Sequence, residues 1–396
     1  MLLRKAAIAY ILVMSSLALI PISVVLTTPI AHAMVPFTSY RDIQEFVHAN
    51  ACSSPPPVSY ERGGLPVPTT ASYGAQSSGA LSLSPNHSET NQQVSGVDEL
   101  DTVKSDGQYI YTITNNTVAI VQAYPSTDAK LVSRVTVTGV IQGLFVVANK
   151  LVIVSETFGD PYPYYTSSAK ILTSDTGAPQ LVGITTIYPI QFSGPTSVSV
   201  FDISNHANPV ITAKVEVNGT LAGARLIGSD VYVVTSQPVY CYPKLLLPEE
   251  IVNGRVISAV PSQVYHSDVV DQAYSFTTVL GFDTTQSNPN PTAKIYLIGT
   301  TSTIYVSLHD IYLTQSVWSQ SQQTIVHRIS IDGLAIDYKA TGAVPGHILN
   351  QFSMDEYNGY LRIATSNCCP QVPGTVALSY SVRQQETNVY VLDQSL

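Results

Sequence analysis

GLFVVANKLVIVSE, residues 143–156, sets two apolar runs on either side of the short break Ala148-Asn149-Lys150. β-Branched and aromatic residues favour extended backbone, and a brief polar interruption between two such runs marks a hairpin. The layout returns in LDTVKSDGQYIYTITN (100–115), GARLIGSDVYVVTS (223–236), STIYVSLHDIYLTQS (302–316) and QFSMDEYNGYLRIATS (351–366). A unit that recurs and cannot bury its own apolar surface must stack on its neighbours. The fold class is therefore all-β, a β-propeller of four-stranded antiparallel blades or else a sandwich.

Ahead of the later markers lie further doubled runs: TVAIVQAYPSTDAKLVSRVTV (117–137), SVSVFDISNHANPVITAKVEV (197–217), FTTVLGFDTTQSNPNPTAKIYL (276–297) and TIVHRISIDGLAIDYKAT (324–341). Joining each to the hairpin that follows gives four full blades, a partial first blade, and NVYVLDQSL (388–396) as the opening strand of a partial last one. The ring so assembled is incomplete. Residues 157–197 and 237–275 are dense in proline, which cannot donate to a central ladder, and read as loop excursions.

The first 33 residues place Arg4 and Lys5 before a long uncharged run that ends in Ala31-His32-Ala33. A positive flank, an apolar stretch and a small-x-small site spell a cleavable signal peptide or, uncleaved, a membrane anchor helix. Residues 34–50 hold a short amphipathic helix: Phe37, Tyr40, Ile43 and Phe46 recur at helical spacing, and Ser39 precedes Asp42 as a cap. Docking of that stripe on the domain is the expectation, with the membrane as the other surface. Residues 51–90 are a Ser/Pro/Gly-rich linker, and 91–396 form the β-propeller domain.

Only 11% of residues are charged and the formal net charge is -9. Loss of the leader removes two positive charges, so a polyanionic partner such as nucleic acid is not expected. A surface polar through Ser, Thr and 24 Tyr changes little in charge as pH falls, which fits an acidic exterior. The expected location is extracytoplasmic, secreted or tethered to the outer face of the membrane, with membrane contact only through the N-terminal segment. Export also gives meaning to sequons at Asn86, Asn115 and Asn218 and to disulfides among Cys52, Cys241, Cys368 and Cys369. Adjacent Cys368 and Cys369 seldom bridge each other, so Cys241 with one of them is the favoured pair, and a zinc site lacks ligand spacing.

Asp98, Glu99, Asp101 and Asp106, with Lys104 among them, form the densest acidic group. Carboxylates so spaced suit calcium, yet Asp106-Gly107 is also a hairpin signal and the others alternate around apolar residues as solvent-facing or strand-capping groups do. No cofactor is expected beyond that calcium. Asp355 and Glu356, with Arg362, supply a second carboxylate pair, but neighbours on a strand face opposite ways. Eight histidines show no ligand spacing, and Ser353 lies in no nucleophile elbow. The Tyr-rich excursions, with Tyr162, Tyr164, Tyr165, Tyr240 and Tyr242, are the candidate binding surface, because Tyr offers large amphipathic area on exposed loops.

The blocks NHSETNQQVSGVDELDTVKSDGQYIYTITN (86–115) and GAVPGHILNQFSMDEYNGYLRIATS (342–366) resemble secreted archaeal and bacterial proteins described as carrying a C-terminal β-propeller distantly related to WD repeats. The resemblance implies a leader, a linker and a propeller outside the cytoplasm. It implies no particular activity. Relatives of that kind continue through several more blades, which points to a truncated or split coding sequence with a separately encoded remainder as a partner, or to a shortened variant that closes on itself. The expected function is a binding or interaction module at the cell surface, meeting an envelope protein or a surface glycan. The alternative is an enzyme acting on carbohydrate, or a metal-dependent oxidoreductase, with its site in the central funnel.

Overall fold

The computed structural model describes residues 33–51, 92–158, 162–172, 180–190, 193–239, 245–267, 274–299, 301–318, 322–367 and 386–396, and gives only the backbone for 158–193 within that set. Nearly all of the leader and of the linker, all four cysteines, Asn86, Tyr240 and Tyr242 lie outside the described residues. Among the described residues no helix is long and apolar enough to cross a membrane.

Strand β1 (Val35–Pro36) and helix α1 (Tyr40–Asn50) come first, and β2 (Val97–Glu99) opens the stretch that leads into the sheets. Sheet one is a meander of β3 (Val103–Ser105), β4 (Tyr109–Thr114), β5 (Thr117–Gln122) and β6 (Lys130–Val135). Sheet two takes β7 (Val140–Val147) and β8 (Lys150–Phe158). Its chain then leaves for a separate ribbon of β9 (Tyr162–Leu172) and β10 (Gln180–Ile190), and returns as β11 (Ser193–Asp202) and β12 (Val210–Val217). Sheet three is β13 (Thr220–Ile227) and β14 (Asp230–Pro238), followed after β15 (Glu249–Val252), β16 (Arg255–Ser258) and β17 (Val264–His266) by β18 (Ser275–Asp283) and β19 (Thr292–Ile298). Sheet four comprises β20 (Thr303–Val306), β21 (Asp310–Trp318), β22 (Gln322–Asp332) and β23 (Ala335–Pro345). Sheet five has three strands, β24 (Met354–Tyr357), β25 (Tyr360–Asn367) and β26 (Glu386–Leu392).

The sheets stack in chain order, face on face, which separates this arrangement from a two-sheet sandwich. Along β8, Leu151 and Ile153 pack toward sheet one while Val152 and Val154 pack toward sheet three, and all four are fully buried. Strand β14 repeats the rule: Val231 and Val233 face sheet two, Tyr232 and Val234 face sheet four. In β21, Ile311 and Leu313 meet sheet three and Tyr312 meets sheet five. A strand buried on both faces must be apolar at every position, which is why these stretches are continuous rather than alternating. Each such side chain contributes about 1.5–3 kcal/mol on burial, so these contacts outweigh the polar ones. No ladder among the described residues joins sheet five back to sheet one.

The ladders correct the expected division of the repeats. Each marker hairpin pairs with the hairpin after it, not the one before: β4 joins β5 through Asn115-Asn116, both at positive φ (48° and 56°), and the two strands are in register from Tyr109↔Gln122 to Thr114↔Thr117. The first sheet is thus whole. NVYVL belongs to the third strand of sheet five rather than opening a new unit. Hairpin runs alone are silent on how they join; a tight left-handed turn makes the choice, since it holds two strands at ladder distance.

The proline-dense stretches also contain strands. In the β9–β10 ribbon Pro163 lies opposite Pro189, and a two-stranded ribbon has outer edges where a missing N–H costs no ladder bond. The second stretch adds β15 and β16 to the outer edge of sheet two and β17, in parallel, to the outer edge of sheet three. Neither interrupts a central ladder.

Helix α1 docks on the outer strands of sheet three. Ser39 caps it, its Oγ accepting from the Asp42 N–H at 3.1 Å. Ile43 and Val47 are buried against Val264, Phe276 and Leu297, and Phe37 stacks on His266 at 4.1 Å.

Candidate functional site: the axial charge network

In chain order each sheet begins with β3, β7, β13, β20 or β24, and the stretch 92–101 runs along several of these first strands. It pairs with β13 through Val97↔Ile227, Asp98↔Leu226 and Glu99↔Arg225. It then bridges to β7, where the Leu144 N–H donates to the Asp101 carbonyl at 2.9 Å. At its start, the Gln93 amide donates to the carbonyls of Gln351 and Met354 at 3.0 and 2.9 Å, reaching sheet five.

This strap carries the charges. Lys104 Nζ, buried, lies 2.7 Å from Asp98 Oδ1. Arg225, also buried, donates from Nη1 to the Ala224 carbonyl and from Nη2 to Gln351 Oε1, both at 2.8 Å, with Glu99 at 3.5 Å. Gln351 closes the circuit by donating from Nε2 to both Glu99 oxygens at 3.2–3.3 Å. Burial pulls the Arg225 guanidinium below its usual range, and the carboxylates of Glu99 and Asp98 oppose that shift. Two cations and two anions thus meet along the strap, Lys104 against Asp98, and Arg225 and Gln351 against Glu99. A set so arranged can clamp sheets three and five to the strap.

The four acidic candidates are not brought together. Asp98 and Glu99 belong to the strap. Asp101 Oδ1 accepts the Thr102 N–H at 2.7 Å, as a turn cap does. Asp106 belongs to a different constellation: its Oδ1 accepts the N–H groups of Gln108 and Tyr109, and its Oδ2 accepts the buried Tyr111 hydroxyl at 2.7 Å. There His206 from the β11–β12 turn places Nε2 2.9 Å from Tyr111 Oη and stacks on the Tyr109 ring at 3.7 Å and 7°. Burial and the Asp106 carboxylate raise the Tyr111 hydroxyl well above the usual tyrosine value. Among the described residues no three His, Cys, Asp or Glu side chains converge as a metal-ligating group.

Asp355 and Glu356 do face opposite ways. Asp355 pairs with Arg362 on the exposed face of sheet five, where Arg362 lies 4.9 Å over the Tyr357 ring. Glu356 turns inward, accepting from Tyr312 Oη at 3.2 Å. Tyr162, Tyr164 and Tyr165 lie in β9, on an extended ribbon rather than an irregular loop. Asn115 stands exposed in the β4–β5 turn; Asn218 is half-buried, its carbonyl accepting from Thr235.

Sequence reading passed over Arg225, Gln351, His206 and the Asp310–Arg328 pair. That pair is bidentate, at 2.9 and 3.0 Å, with Asp310 buried and Arg328 half-buried; burial raises the Asp310 carboxyl and the guanidinium opposes it. Arg225 and Gln351 stand 126 residues apart, and His206 stands 95 from Tyr111, so no local spacing could expose either cluster.

Comparison with known proteins agrees with this architecture. The family model described as a beta propeller domain matches residues 87–396. An uncharacterised protein of Archaeoglobus fulgidus is 22% identical over 402 residues, covering 78% of this chain and 55% of its own length. An uncharacterised protein of Methanocaldococcus jannaschii is 38% identical over 80 residues, 20% of this chain and 11% of its own. The chain spans about half the length of the Archaeoglobus relative.

Proposed function

Because this chain belongs to the beta propeller domain family, we propose that it is a binding module acting outside the cytoplasm, which presents its loop surfaces to an envelope protein or a surface glycan. The observation that carries the reading is the internal pairing of the axial charges. Where an enzyme of this architecture would aim acids and bases into the funnel, Lys104, Asp98, Arg225, Glu99 and Gln351 are engaged with one another. Groups so used hold a scaffold, and recognition then falls to the connections between strands. The leader sequence supports export, and the Tyr-rich sequence of β9 is of the kind that binding surfaces use. A separately encoded chain carrying further sheets stands beside these as a partner.

The test is capture from an envelope extract on immobilised protein, compared with a variant in which Tyr162, Tyr164 and Tyr165 are serine. A specific protein or glycan retained by the first and lost with the second supports the reading. Turnover of a carbohydrate or redox substrate that disappears in Asp98→Asn while the fold persists would overturn it in favour of a funnel enzyme.

A further inference from the structure

Three Asn-Gly pairs occur in the chain, at 218–219, 253–254 and 358–359. Asparagine is a thermolabile residue, and a glycine that follows it, lacking Cβ, leaves its own nitrogen open to approach. That nitrogen can attack the asparagine Cγ. The N–Cγ bond forms, the Cγ–Nδ2 bond breaks, and ammonia leaves with the proton that the nitrogen gives up; solvent water then opens the succinimide to aspartate or isoaspartate. The fold treats the three pairs differently.

Asn253 and Gly254 make the β15–β16 turn, at φ of 50° and 84°. The Asn253 side chain is held from both ends: Oδ1 accepts the Lys214 N–H at 2.9 Å and Nδ2 donates to the Ser287 carbonyl at 3.1 Å. Asn116, in the β4–β5 turn, is pinned in the same way, donating to the Gly139 carbonyl at 2.7 Å and accepting the Ile141 N–H at 2.9 Å. Asn218 and Gly219 are held through the main chain instead. The Asn218 N–H donates to the Glu249 carbonyl at 3.2 Å, and the Asn218 and Gly219 carbonyls accept from the hydroxyls of Thr235 and Thr196 at 3.0 and 2.8 Å. Gly219 is also crowded, since a Cβ there would lie 2.9 Å from the Ser236 backbone. Ring closure at either pair has to undo these contacts first.

Asn358 and Gly359 make the β24–β25 turn with nearly the same backbone as the β15–β16 turn, at φ of 51° and 77°. Here the side chain pins nothing: Asn358 stands exposed, and among the described residues no group hydrogen-bonds its amide. Tyr357 and Tyr360 close the ladder beneath the turn, so the Gly359 N–H is left outside it. Electrophile and nucleophile are thus both in water and both unengaged.

We propose that Asn358 is a site of spontaneous deamidation, selected by the fold over the other two Asn-Gly pairs, and that its isoaspartyl product loosens sheet five. Isoaspartate carries the main chain through Cβ and Cγ, so the turn gains a backbone bond and Tyr357 and Tyr360 no longer meet in register. The Met354 carbonyl that receives Gln93 lies on the same strand, β24. This chemistry is independent of whatever the loops bind.

The test is to age the folded full chain at neutral to mildly alkaline pH and to follow each Asn-Gly pair by peptide mapping with mass spectrometry. Asn358 is expected to convert about ten times faster than Asn253, where two hydrogen bonds must be released first. In the chain unfolded with urea, the three pairs should convert at comparable rates. The aged fraction, separated by its added negative charge, should melt below the parent, whereas Asn358→Gln should keep its own melting temperature through the same ageing. Conversion at Asn253 or Asn218 in the folded chain as fast as at Asn358, or the same preference for Asn358 in urea, would overturn the selection by the fold. An aged fraction that melts with the parent, or an Asn358→Gln chain that loses as much stability on ageing, would overturn the loosening of sheet five.

Discussion

Arg225 holds the charge on which the axial network turns, and its environment dictates what substitution does. Replacing it with methionine keeps much of the volume but removes the cation beside Glu99 and leaves the Gln351 side-chain oxygen Oε1 without its donor in a partly buried site. Removing one partner of a buried pair costs about 3–5 kcal/mol, whereas Glu99→Gln, which keeps a hydrogen-bonding group facing Gln351, should cost nearer 1 kcal/mol. Melting temperatures of the two variants should therefore separate clearly, with Arg225→Met the lower. Glu250 gives a second test. It is buried on β15 beside Val217 and Ile257, and burial pushes its carboxyl up to about 7. A carboxyl raised in the folded state binds its proton more tightly there than in the unfolded chain. Its contribution is therefore present at low pH and lost as pH rises from about 4.5 to about 7. The melting temperature should fall across that window, by the equivalent of at most about 3 kcal/mol, and the slope should flatten in Glu250→Gln. That direction suits the acidic surroundings that the low charge density led us to expect.

The inner strands show how closely elements approach one another. Gly223 in β13 sits at a register shift after Leu221, and a Cβ there would run into the Cδ1 of Ile304 on β20, which is itself buried. Gly223→Ala should cost about 1–3 kcal/mol through overpacking, and Ile304→Val, which removes that methyl, should recover part of the loss in the double variant. Thermal melts of the four-member cycle measure the coupling; simple additivity would refute the contact. At the other edge of sheet three, α1 depends on its cap, and Ser39→Ala should lower stability by about 1 kcal/mol, read in the same way. These elements also show what was legible beforehand. The helix, its cap and its docking face were readable because 3.6-residue periodicity and capping are local. The hairpins were readable for the same reason, since period-two runs and turn residues lie side by side. Their pairing into sheets was not, because Asn115-Asn116 had to be recognised as a left-handed turn instead of a sequon alone.

At the scale of the whole molecule, the stacking of sheets follows from strands that are apolar on both faces, and that continuity was visible in LVIV and VYVV. The axial site was only half visible. Asp98, Glu99 and Lys104 stood out as a charged run, but what they do depends on Arg225 and Gln351, which arrive from sheets three and five. Spacing along a chain reports neighbours on one element; it is silent about side chains that meet because several sheets converge. The strap itself has a consequence for how the protein is made. Gln93 emerges early in synthesis, yet it closes on Gln351 and Met354, 258 and 261 residues later. Sheets one to four can assemble as each is completed, since neighbours in sequence are neighbours in space, and the strap can pair with β7 and β13 by then, whereas the contacts of Gln93 and Glu99 with Gln351 and Met354 must wait until the fifth sheet arrives. A segment made before every sheet is thus fastened at its far end by the last of them, and a nascent chain halted before Met354 would carry a native stack of sheets whose strap is still free at Gln93.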